Sequence, residues 1–466
     1  MNAARQRARR DSSAAIAQLQ ARLGARIATS ASTCDQHAAG EGLRDRVPPD
    51  AVVYAESTAD VQAVLEVCHA TTTPVIPFGA GTSLEGHLQA IHGGICLDLS
   101  RMNRVLAVSA EDLDCRVEAG VTREQLNAHV RDQGLFFPLD PGANATLGGM
   151  ASTRASGTNA VRYGTMRDVT LGLTVVTPDG RVIRTGGRAR KSSAGYDLTR
   201  VYVGSEGTLG VITELQLRLF GVPERLVAGV CQFPSVDAAV AAVVAVLQLG
   251  VPIARIELLD ALQMRACIAY SKLAEVEERP TLFLEFHGSP AAVAEQVETV
   301  RELCAAEGGS AFRCASDEGE RRQIWRARHD AYWAARQLAP GKESFATDAC
   351  VPISRLGACI AEAQAAAARS ALLCPIVGHV GDGNFHALVL YDAADASERA
   401  RAEEFVETVG RTAIAHGGTC TGEHGIGLHK LGMLEAEHGE AVSVMRAIKH
   451  ALDPRGIMNP GKTVPR

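Results

Sequence analysis

The sequence predicts an α+β fold in two parts, with an antiparallel sheet layered by helices in the second part. Three observations predict it. The 466 residues exceed what one hydrophobic core usually supports. The first half contains three glycine-rich loops, each next to a predicted strand. The second half mixes strands at 226–233, 255–259 and 281–287 with helices at 236–249 and 290–307.

Composition and charge exclude several classes of protein. The net charge is -6 and Lys and Arg are dispersed, so no nucleic-acid partner is expected. The longest apolar run, Ala238–Leu249, is too short to cross a bilayer and therefore predicts a buried helix. Twelve cysteines without a CxxC pair indicate reduced thiols rather than a disulfide framework.

The N-terminus is rich in arginine and contains no acidic residue before Asp11. Such a start is typical of a mitochondrial transit peptide. The stretch Ala14–Leu23 already has the pattern of an amphipathic helix, which favours a plain basic start instead. We therefore expect a cytoplasmic protein, with a mitochondrial location as the less favoured alternative.

The first glycine-rich loop, Gly79–Gly86, follows the predicted strand Pro74–Phe78, after a helix capped by Ser57. Backbone N–H groups in such a loop can converge on a phosphate oxygen, because glycine has no Cβ to block the approach. An NAD site with Asp98 as the ribose-binding acid would need a helix directly after the glycines. Here a second strand, Ile95–Leu99, follows, so the NAD interpretation is weak and a turn without a ligand remains the plain alternative.

Two further regions of small residues follow. The first comprises Pro138–Gly142 and Thr146–Ser152 and continues to Gly157. Strands Leu171–Thr177 and Arg181–Thr185, joined by Pro-Asp-Gly, then predict a hairpin. The third loop, 204–212, leads into another strand. Three such loops let a ligand lie flat against backbone, which predicts one long, extended ligand.

The stretch 375–391 places two histidines as candidate metal ligands. Its apolar runs flank Gly381–Asn384, which predicts a hairpin with its midpoint between Asp382 and Gly383. That register sets His379 directly opposite His386, close enough for two imidazoles to share one ion. The plain alternative is that both are ordinary polar residues on a half-buried strand.

A third ligand is predicted at Glu423, where an adjacent Glu-His pair lies among the glycines of 418–427. Two histidines and one carboxylate leave a coordination position open, as catalytic metal sites do. These ligand types predict Zn²⁺, with Mn²⁺ or Fe²⁺ as alternatives.

Six motifs occur in order along the chain: PFGAGTSLEG, PLDPGANATLGGMAS, GSEGTLGVIT, GHVGDGNFH, GEHGIG and the terminal Asn-Pro-Gly-Lys at 459–462. Together they resemble the FAD-linked oxidase family of the vanillyl-alcohol oxidase type. The similar branch contains the D-lactate dehydrogenases (cytochrome), the glycolate oxidase catalytic subunits and the D-2-hydroxyglutarate dehydrogenases. The resemblance runs from about Val47 to the end of the chain.

The resemblance implies an FAD-binding domain formed by 47–222 and 427–466, with an inserted α+β cap domain at 223–426. An N-terminal helical segment, 1–46, precedes them. Some relatives tether FAD through a histidine at the place of Thr82, so noncovalent FAD is expected here, although His87 lies nearby. The implied FAD-binding residues are Pro77, Gly79, Ala80, Gly81, Thr82, Ser83, Gly86, Pro138, Gly142, Thr146, Gly149, Ser152, Gly157, Glu206, Gly207, Ile212 and Asn459.

The resemblance also implies the reaction, which is oxidation of a small D-2-hydroxy acid, D-lactate first, to the 2-keto acid. His424 is the expected general base, although it could exchange roles with Glu423. The region 325–330, predicted to open a helix, supplies Arg328 as the first candidate for the substrate carboxylate, with Lys342 and Arg326 as weaker ones.

The expected electron acceptor is a quinone, a cytochrome or an electron-transfer flavoprotein. Any membrane contact is expected to be peripheral to the inner membrane, and a homodimer is one candidate assembly, although the sequence does not determine the oligomeric state. Alternative enzymes are a glycolate or D-2-hydroxyglutarate dehydrogenase, or a nonredox enzyme like alkylglycerone-phosphate synthase. A flavin- or metal-binding module without catalysis is the remaining alternative.

Overall fold

The computed structural model describes residues 9–41, 45–273 and 276–465. These residues form two compact units. Unit 1 contains the chain up to Ser156, then Gly164–Val222 and the chain from Glu423 onward. Unit 2 contains Gly157–Tyr163 and Pro223–Gly422. The transit-peptide interpretation rests on positions 1–10, of which 1–8 lie outside the described residues.

The α-helices and β-strands are numbered along the whole chain. The helices are α1 (Ser13–Leu23), α2 (Ala31–Gln36), α3 (Thr58–Thr71), α4 (Arg123–Val130), α5 (Leu147–Thr153), α6 (Ala160–Tyr163), α7 (Met166–Val169), α8 (Leu198–Tyr202), α9 (Val236–Gln248), α10 (Ala261–Ser271), α11 (Pro290–Ala306), α12 (Glu318–His329), α13 (Ala331–Gln337), α14 (Leu356–Arg369), α15 (Ala396–Ala415), α16 (Leu431–His438) and α17 (Ala441–Leu452). The strands are β1 (Ile27–Ala28), β2 (Ala51–Tyr54), β3 (Val75–Phe78), β4 (Ile95–Asp98), β5 (Val105–Ser109), β6 (Asp114–Glu118), β7 (Leu135–Phe136), β8 (Thr170–Val176), β9 (Val182–Gly186), β10 (Val211–Arg218), β11 (Phe220–Gly221), β12 (Arg225–Gln232), β13 (Arg255–Leu259), β14 (Thr281–Gly288), β15 (Ser310–Ala315), β16 (Glu343–Ala346), β17 (Ala349–Cys350), β18 (Ile376–His379) and β19 (Asn384–Tyr391).

Unit 1 contains two main sheets. The first has the order β1-β2-β4-β3, in which β2, β4 and β3 are parallel. Met458 from the C-terminal segment forms a parallel bridge to Val75 at the open edge of β3. The second sheet is antiparallel, with the order β5-β6-β10-β8-β9, and it contains the predicted hairpin with Gly180 in its turn at φ +87°. As predicted, Ser57 caps α3 by accepting a hydrogen bond from the Asp60 N–H group.

Unit 2 is built on one antiparallel sheet, which confirms the prediction for the second half of the chain. Its strand order is β15-β12-β14-β13-β18-β19-β16, with β17 paired to β19. The predicted apolar helix is α9, whose buried face contains alanine and valine side chains against this sheet's core. All twelve cysteines lie in the described residues and are free thiols.

The register predicted for the β18–β19 hairpin is wrong by two residues. His379 is paired with Asn384, and His386 is paired with Val377. The loop is shifted towards the N-terminus and runs over 380–383, because Val380 joins the turn and Asn384 begins β19. The Asp382 N–H group bonds to the His379 carbonyl and the Gly383 N–H group to the Val380 carbonyl. The two histidines still share one face of the sheet, since side chains alternate along a strand, and they are diagonal neighbours.

The helix predicted to begin at Trp325 begins earlier, at Glu318 in α12. Asp317 caps it by accepting hydrogen bonds from the N–H groups of Gly319 and Glu320. The cap fixes the start of the helix, because it satisfies N–H groups that have no partner inside the first turn. Arg328 therefore lies in the last turn of α12 rather than the first.

Candidate active site

The first glycine-rich loop follows β3 in unit 1, as predicted. Within the described residues, none of the N–H groups from Gly79 to Ser83 has a hydrogen-bond acceptor, and the buried Ser83 hydroxyl also has no partner. Gly81 and Gly86 have φ values of +76° and +78°, which favour glycine. Such a run of N–H groups fits an anionic oxygen like those of the FAD pyrophosphate.

The second loop meets the first. A Cβ atom added to Gly79 would lie 2.2 Å from the Thr146 hydroxyl oxygen, so only glycine fits there. Thr146 caps α5 by accepting a hydrogen bond from the Gly149 N–H group. Pro138 is buried, whereas Gly142 is exposed with open space around its Cα.

The third loop packs against β3 and against the second loop. The Glu206 N–H group donates to the Ser152 carbonyl over 2.8 Å. A Cβ atom on Gly207 would lie 3.0 Å from Pro77 Cγ. The Asn459 side-chain amide donates to the Glu206 carbonyl over 2.9 Å. Unit 1 therefore brings together predicted residues from all three loops and the C-terminal segment.

The carboxylate of Glu206 is hydrogen-bonded to other residues of unit 1. It accepts hydrogen bonds from the Ile426 and Gly427 N–H groups at 2.7 and 2.8 Å and from the Thr463 hydroxyl at 2.7 Å. His87 Nε2 lies 3.0 Å from the same carboxylate. Burial raises the pKa of Glu206, but His87 and these hydrogen bonds outweigh it and hold the pKa below its ordinary value.

Four other predicted FAD-binding residues have different surroundings. Ala80 is exposed and Thr82 is half-buried, both in the first loop. Ile212 lies in β10 and belongs to the hydrophobic core of unit 1. Gly157 belongs to unit 2, whereas the other predicted FAD-binding residues belong to unit 1.

Glu423 and His424 begin the last segment of unit 1, next to a carboxylate that the sequence analysis missed. His424 Nδ1 lies 3.8 Å from Glu85 Oε1. Glu85 also lies 2.9 Å from the buried Lys430 ammonium. Burial raises the pKa of Glu85, but the charges of Lys430, His429 and His424 outweigh it and lower the pKa to about 2. The available signal was an acidic residue inside the first glycine-rich loop.

His379 and His386 form a buried pair in unit 2. Their ring centroids are 5.4 Å apart and the rings are nearly perpendicular. His379 Nδ1 donates to the Glu257 carboxylate at 2.8 and 2.9 Å, and His386 Nδ1 donates to the Thr347 carbonyl at 2.9 Å. A neutral ring held in this way carries its lone pair on Nε2, which is how metal-binding histidines are usually fixed. These two residues therefore fit a divalent cation.

Arg328 is joined to the same network through Glu257. Its Nε donates to Glu257 over 2.8 Å, so one buried carboxylate holds both Arg328 and His379. Burial raises the pKa of Glu257, but His379 and Arg328 outweigh it and keep the pKa below its ordinary value. Glu257 was not among the residues predicted from the sequence, although an acid in the middle of the apolar run RIELL was a usable signal.

The weaker cationic candidates have partners on the surface of unit 2. Lys342 lies 2.5 Å from Glu398 Oε1, and Arg326 lies 3.4 Å from Asp330. Arg328 is the most buried of the three, since 15% of its side chain is exposed, against 36% for Lys342 and 67% for Arg326. Arg328 therefore remains the first candidate for a substrate carboxylate.

Comparison with known families gives two matches that together cover most of the chain. Residues 49–186 match the "FAD binding domain" model, and residues 222–463 match the model described as "FAD linked oxidases, C-terminal domain". These matches confirm the fold predicted from the motifs.

Two curated relatives are similar over nearly the whole sequence. The chain is 50% identical over 442 residues to "Probable D-lactate dehydrogenase, mitochondrial" of Danio rerio, covering 94% of this chain and 89% of that protein. It is 45% identical over 418 residues to "D-lactate dehydrogenase (cytochrome), mitochondrial" of Arabidopsis thaliana, covering 90% and 74%. Both names conflict with our expectation that a mitochondrial location is the less favoured one.

A solved structure shows the same fold at low sequence identity. It is 4-ethylphenol oxidase from Gulosibacter chungangensis in complex with isoeugenol, with a TM-score of 0.79 and 19% identity. The similarity covers 100% of this chain and 98% of that one. Among the described residues, no helix combines the length and apolarity needed to cross a bilayer.

Proposed function

Because this chain belongs to the FAD-linked oxidase family, we propose that it oxidises a small D-2-hydroxy acid, D-lactate first, to the 2-keto acid. The observation that carries the proposal is the buried histidine pair of unit 2, in which Nδ1 of each ring is held by Glu257 or Thr347. This arrangement accompanies strong similarity to two proteins named as D-lactate dehydrogenases. The protein is thus proposed to be an enzyme rather than a binding module.

The cofactor would be bound noncovalently by the loops of unit 1. The N–H groups of Gly79–Ser83 would hold the pyrophosphate, and the loops containing Thr146 and Gly207 would hold the remainder. No histidine stands at Thr82, and His87 is directed at Glu206, which supports binding without a covalent tether. When bound, FAD supplies the acceptor for the hydride that leaves the 2-carbon of the substrate.

A divalent cation would be held by His379 and His386, with Glu423 as the third ligand. Gly422 is fixed by its N–H bond to the Asp348 carbonyl at 3.0 Å, and Glu423 follows it directly in the chain. Imidazole and carboxylate ligands suit Zn²⁺, with Mn²⁺ or Fe²⁺ as alternatives. A cation there would supply Lewis acidity to the substrate's hydroxyl and carboxylate oxygens.

Arg328 would bind the substrate carboxylate. Within the described residues its guanidinium makes one hydrogen bond, through Nε to Glu257, so Nη1 and Nη2 can face a carboxylate in the bidentate manner typical of arginine. Glu257 would orient both Arg328 and His379, which fixes the substrate anchor relative to one metal ligand.

His424 would take the proton from the substrate hydroxyl and hold it on its imidazole ring. A histidine suits this role because its ordinary pKa lies near neutral pH. The Glu85 carboxylate, 3.8 Å from His424 Nδ1, would stabilise the resulting positive charge. Because Glu85 is held ionised by Lys430 as well, this support persists across the physiological pH range.

Electrons would leave the enzyme through a quinone, a cytochrome or an electron-transfer flavoprotein. The name of the Arabidopsis thaliana relative favours a cytochrome. The names of both relatives favour a mitochondrial location over the cytoplasmic one expected from the sequence. Peripheral membrane contact and a homodimer remain proposals.

The test is the anaerobic absorbance of the protein's flavin on addition of D- and L-2-hydroxy acids, before and after chelation. Bleaching by D-lactate that chelation abolishes is the expected result. Faster bleaching by glycolate or D-2-hydroxyglutarate would move the substrate to that acid. No bleaching by any acid would contradict the redox function and favour a nonredox enzyme of the same fold.

A further inference from the structure

Three lysines of the C-terminal segment are largely buried, and they differ in whether a carboxylate lies beside them. Lys430 lies 2.9 Å from Glu85, and Lys449 is paired with Asp453. Lys462, only 3% exposed, has no carboxylate within ion-pair distance in the described part of the chain. A buried ammonium group is expected to be paired, because removing it from water is costly.

Among the residues that the structure describes, Lys462 has one hydrogen-bond partner, which is an amide. Its Nζ donates to Asn459 Oδ1 over 2.5 Å. Asn459 cannot turn away easily, because its backbone N–H group donates to the Val75 carbonyl and its side-chain amide to the Glu206 carbonyl. An ammonium group has three hydrogens to donate, so this contact satisfies one of them.

Lys462 lies close to β3, which leads into the first glycine-rich loop, and to β4, its neighbour in the sheet. Asn459 is bonded to β3, and Cys96 of β4, which pairs with Ile76 of β3, is one of the groups that face Lys462. The loop Gly79–Ser83, with its N–H groups without acceptors, begins directly after β3. Within the described residues, a lysine without a carboxylate partner and a loop of N–H groups without acceptors thus occur together in unit 1.

We propose that Lys462, in its protonated form, binds the diphosphate of FAD, so that cofactor binding is coupled to uptake of a proton. The proposal deepens the function proposed above and rests on FAD as its cofactor. The diphosphate would supply the negatively charged partner that no carboxylate of the described residues provides for Lys462.

The surroundings of Lys462 set the pH range of this coupling. Burial lowers the pKa of Lys462 to about 7, against smaller opposing effects of Cys96 and Glu206, the titratable groups that face it. The Glu206 carboxylate is already bonded to Ile426, Gly427 and Thr463. An anion beside Lys462 would raise its pKa, so above about pH 7 binding takes up a proton and weakens as the pH rises.

The experiment is equilibrium dialysis of the full-length holoenzyme between about pH 6 and pH 9, with released FAD measured by fluorescence. For the wild type, the FAD dissociation constant is expected to rise above about pH 7, approaching tenfold per pH unit. Lys462→Met should weaken FAD binding about 10- to 100-fold at pH 6. In this variant the dissociation constant should no longer rise above about pH 7 through titration of Lys462. The exposed Lys191→Met is the matched control and should behave as the wild type.

A wild-type dissociation constant that stays constant over this pH range would overturn the proposal, and this measurement does not depend on the folding of any variant. An unchanged pH dependence in Lys462→Met would overturn it as well. ADP, which carries the diphosphate without the flavin, is the second probe. It should lose affinity for the variant by a similar factor, and equal ADP affinity would contradict the diphosphate assignment. Failure of D-lactate to bleach the flavin would leave these binding results unaffected, so the two proposals fail separately.

Discussion

The two units build their candidate sites from different parts of the chain. In unit 1 the candidate ligand-binding groups are mainly backbone N–H groups, next to glycines at which a side chain would collide with Phe78 or Thr146. In unit 2 they are side-chain nitrogens, fixed through Nδ1 by Glu257 and Thr347. In unit 1, a larger side chain at one of these glycines should therefore displace the loop and reduce the amount of bound cofactor. In unit 2, the loss of one of these nitrogens should instead lower turnover.

The largest effect is expected from His386→Ala. Loss of one metal ligand should remove several kcal/mol of Lewis-acid stabilisation and lower turnover by about a thousandfold or more. FAD content should stay at the wild-type level, because His386 lies in unit 2. The measurements are steady-state turnover, bound metal and flavin absorbance per protein. His416→Ala, at a residue paired with Glu362, is the control, and full activity of His386→Ala would remove the cation from the mechanism.

Gly81→Val should have the converse effect and reduce FAD content. Gly81 has a φ of +76°, and a Cβ atom there would lie 2.9 Å from Phe78 Cζ, so valine is strained and displaces the loop. Most of the bound flavin should be lost, as measured by absorbance of the purified protein. Gly187→Val, at an exposed glycine of unit 1 outside the three loops, is the matched control, since no atom lies within 4 Å of its added Cβ. Full flavin occupancy in Gly81→Val would contradict the assignment of the first loop.

Glu85 should make the stability of unit 1 sensitive to acid. Its pKa of about 2 lies below the value of about 4.3 expected for an unfolded chain, so the folded protein binds fewer protons in this range. The resulting stabilisation, about 3 kcal/mol, is complete above the unfolded pKa and is lost as the pH falls towards 2. Urea unfolding near neutral pH and near pH 3 should show a smaller acid-induced loss in Glu85→Gln than in wild type. An equal loss in both would contradict the prediction, and the exposed Glu111→Gln is the control.

The smallest effect is expected from Glu257→Gln. The amide keeps the shape of the carboxylate but loses the charge that holds His379 and Arg328. Substitutions of carboxylates behind metal-binding histidines weaken metal affinity about 10- to 100-fold. Metal affinity measured by competition with a chelator should fall by this factor while FAD stays bound. The exposed Glu302→Gln on α11 should leave both unchanged, and wild-type affinity in Glu257→Gln would show that Glu257 does not orient the site.

The sequence predicted the parts of the molecule that depend on local signals. The glycines of the first loop, the cap at Ser57 and the histidines on one face of a hairpin follow from residue type and short-range spacing. The hairpin register failed because turn composition did not show that Val380 would join the turn. The start of α12 failed because the capping role of Asp317 was overlooked.

The residues that support the sites were harder to find because their partners are distant in sequence. Glu257 lies 122 positions before His379, and Glu206 lies 220 positions before Ile426. No periodic pattern links such residues, since tertiary packing alone brings them together. An acid or lysine inside an apolar or glycine-rich segment was the usable signal at Glu85, Glu257 and Lys462.

The C-terminal segment of unit 1 has a consequence for biosynthesis. A ribosome makes the chain from its N-terminus, yet the open edge of β3 receives Met458 only near the end of translation. The hydrogen-bond donors to the Glu206 carboxylate, which are Ile426, Gly427 and Thr463, are likewise translated late. Most of unit 2 is contiguous and is complete once Gly422 has emerged. The nascent protein therefore completes most of unit 2 before unit 1, and a chain truncated before Met458 would leave the edge of β3 open to aggregation.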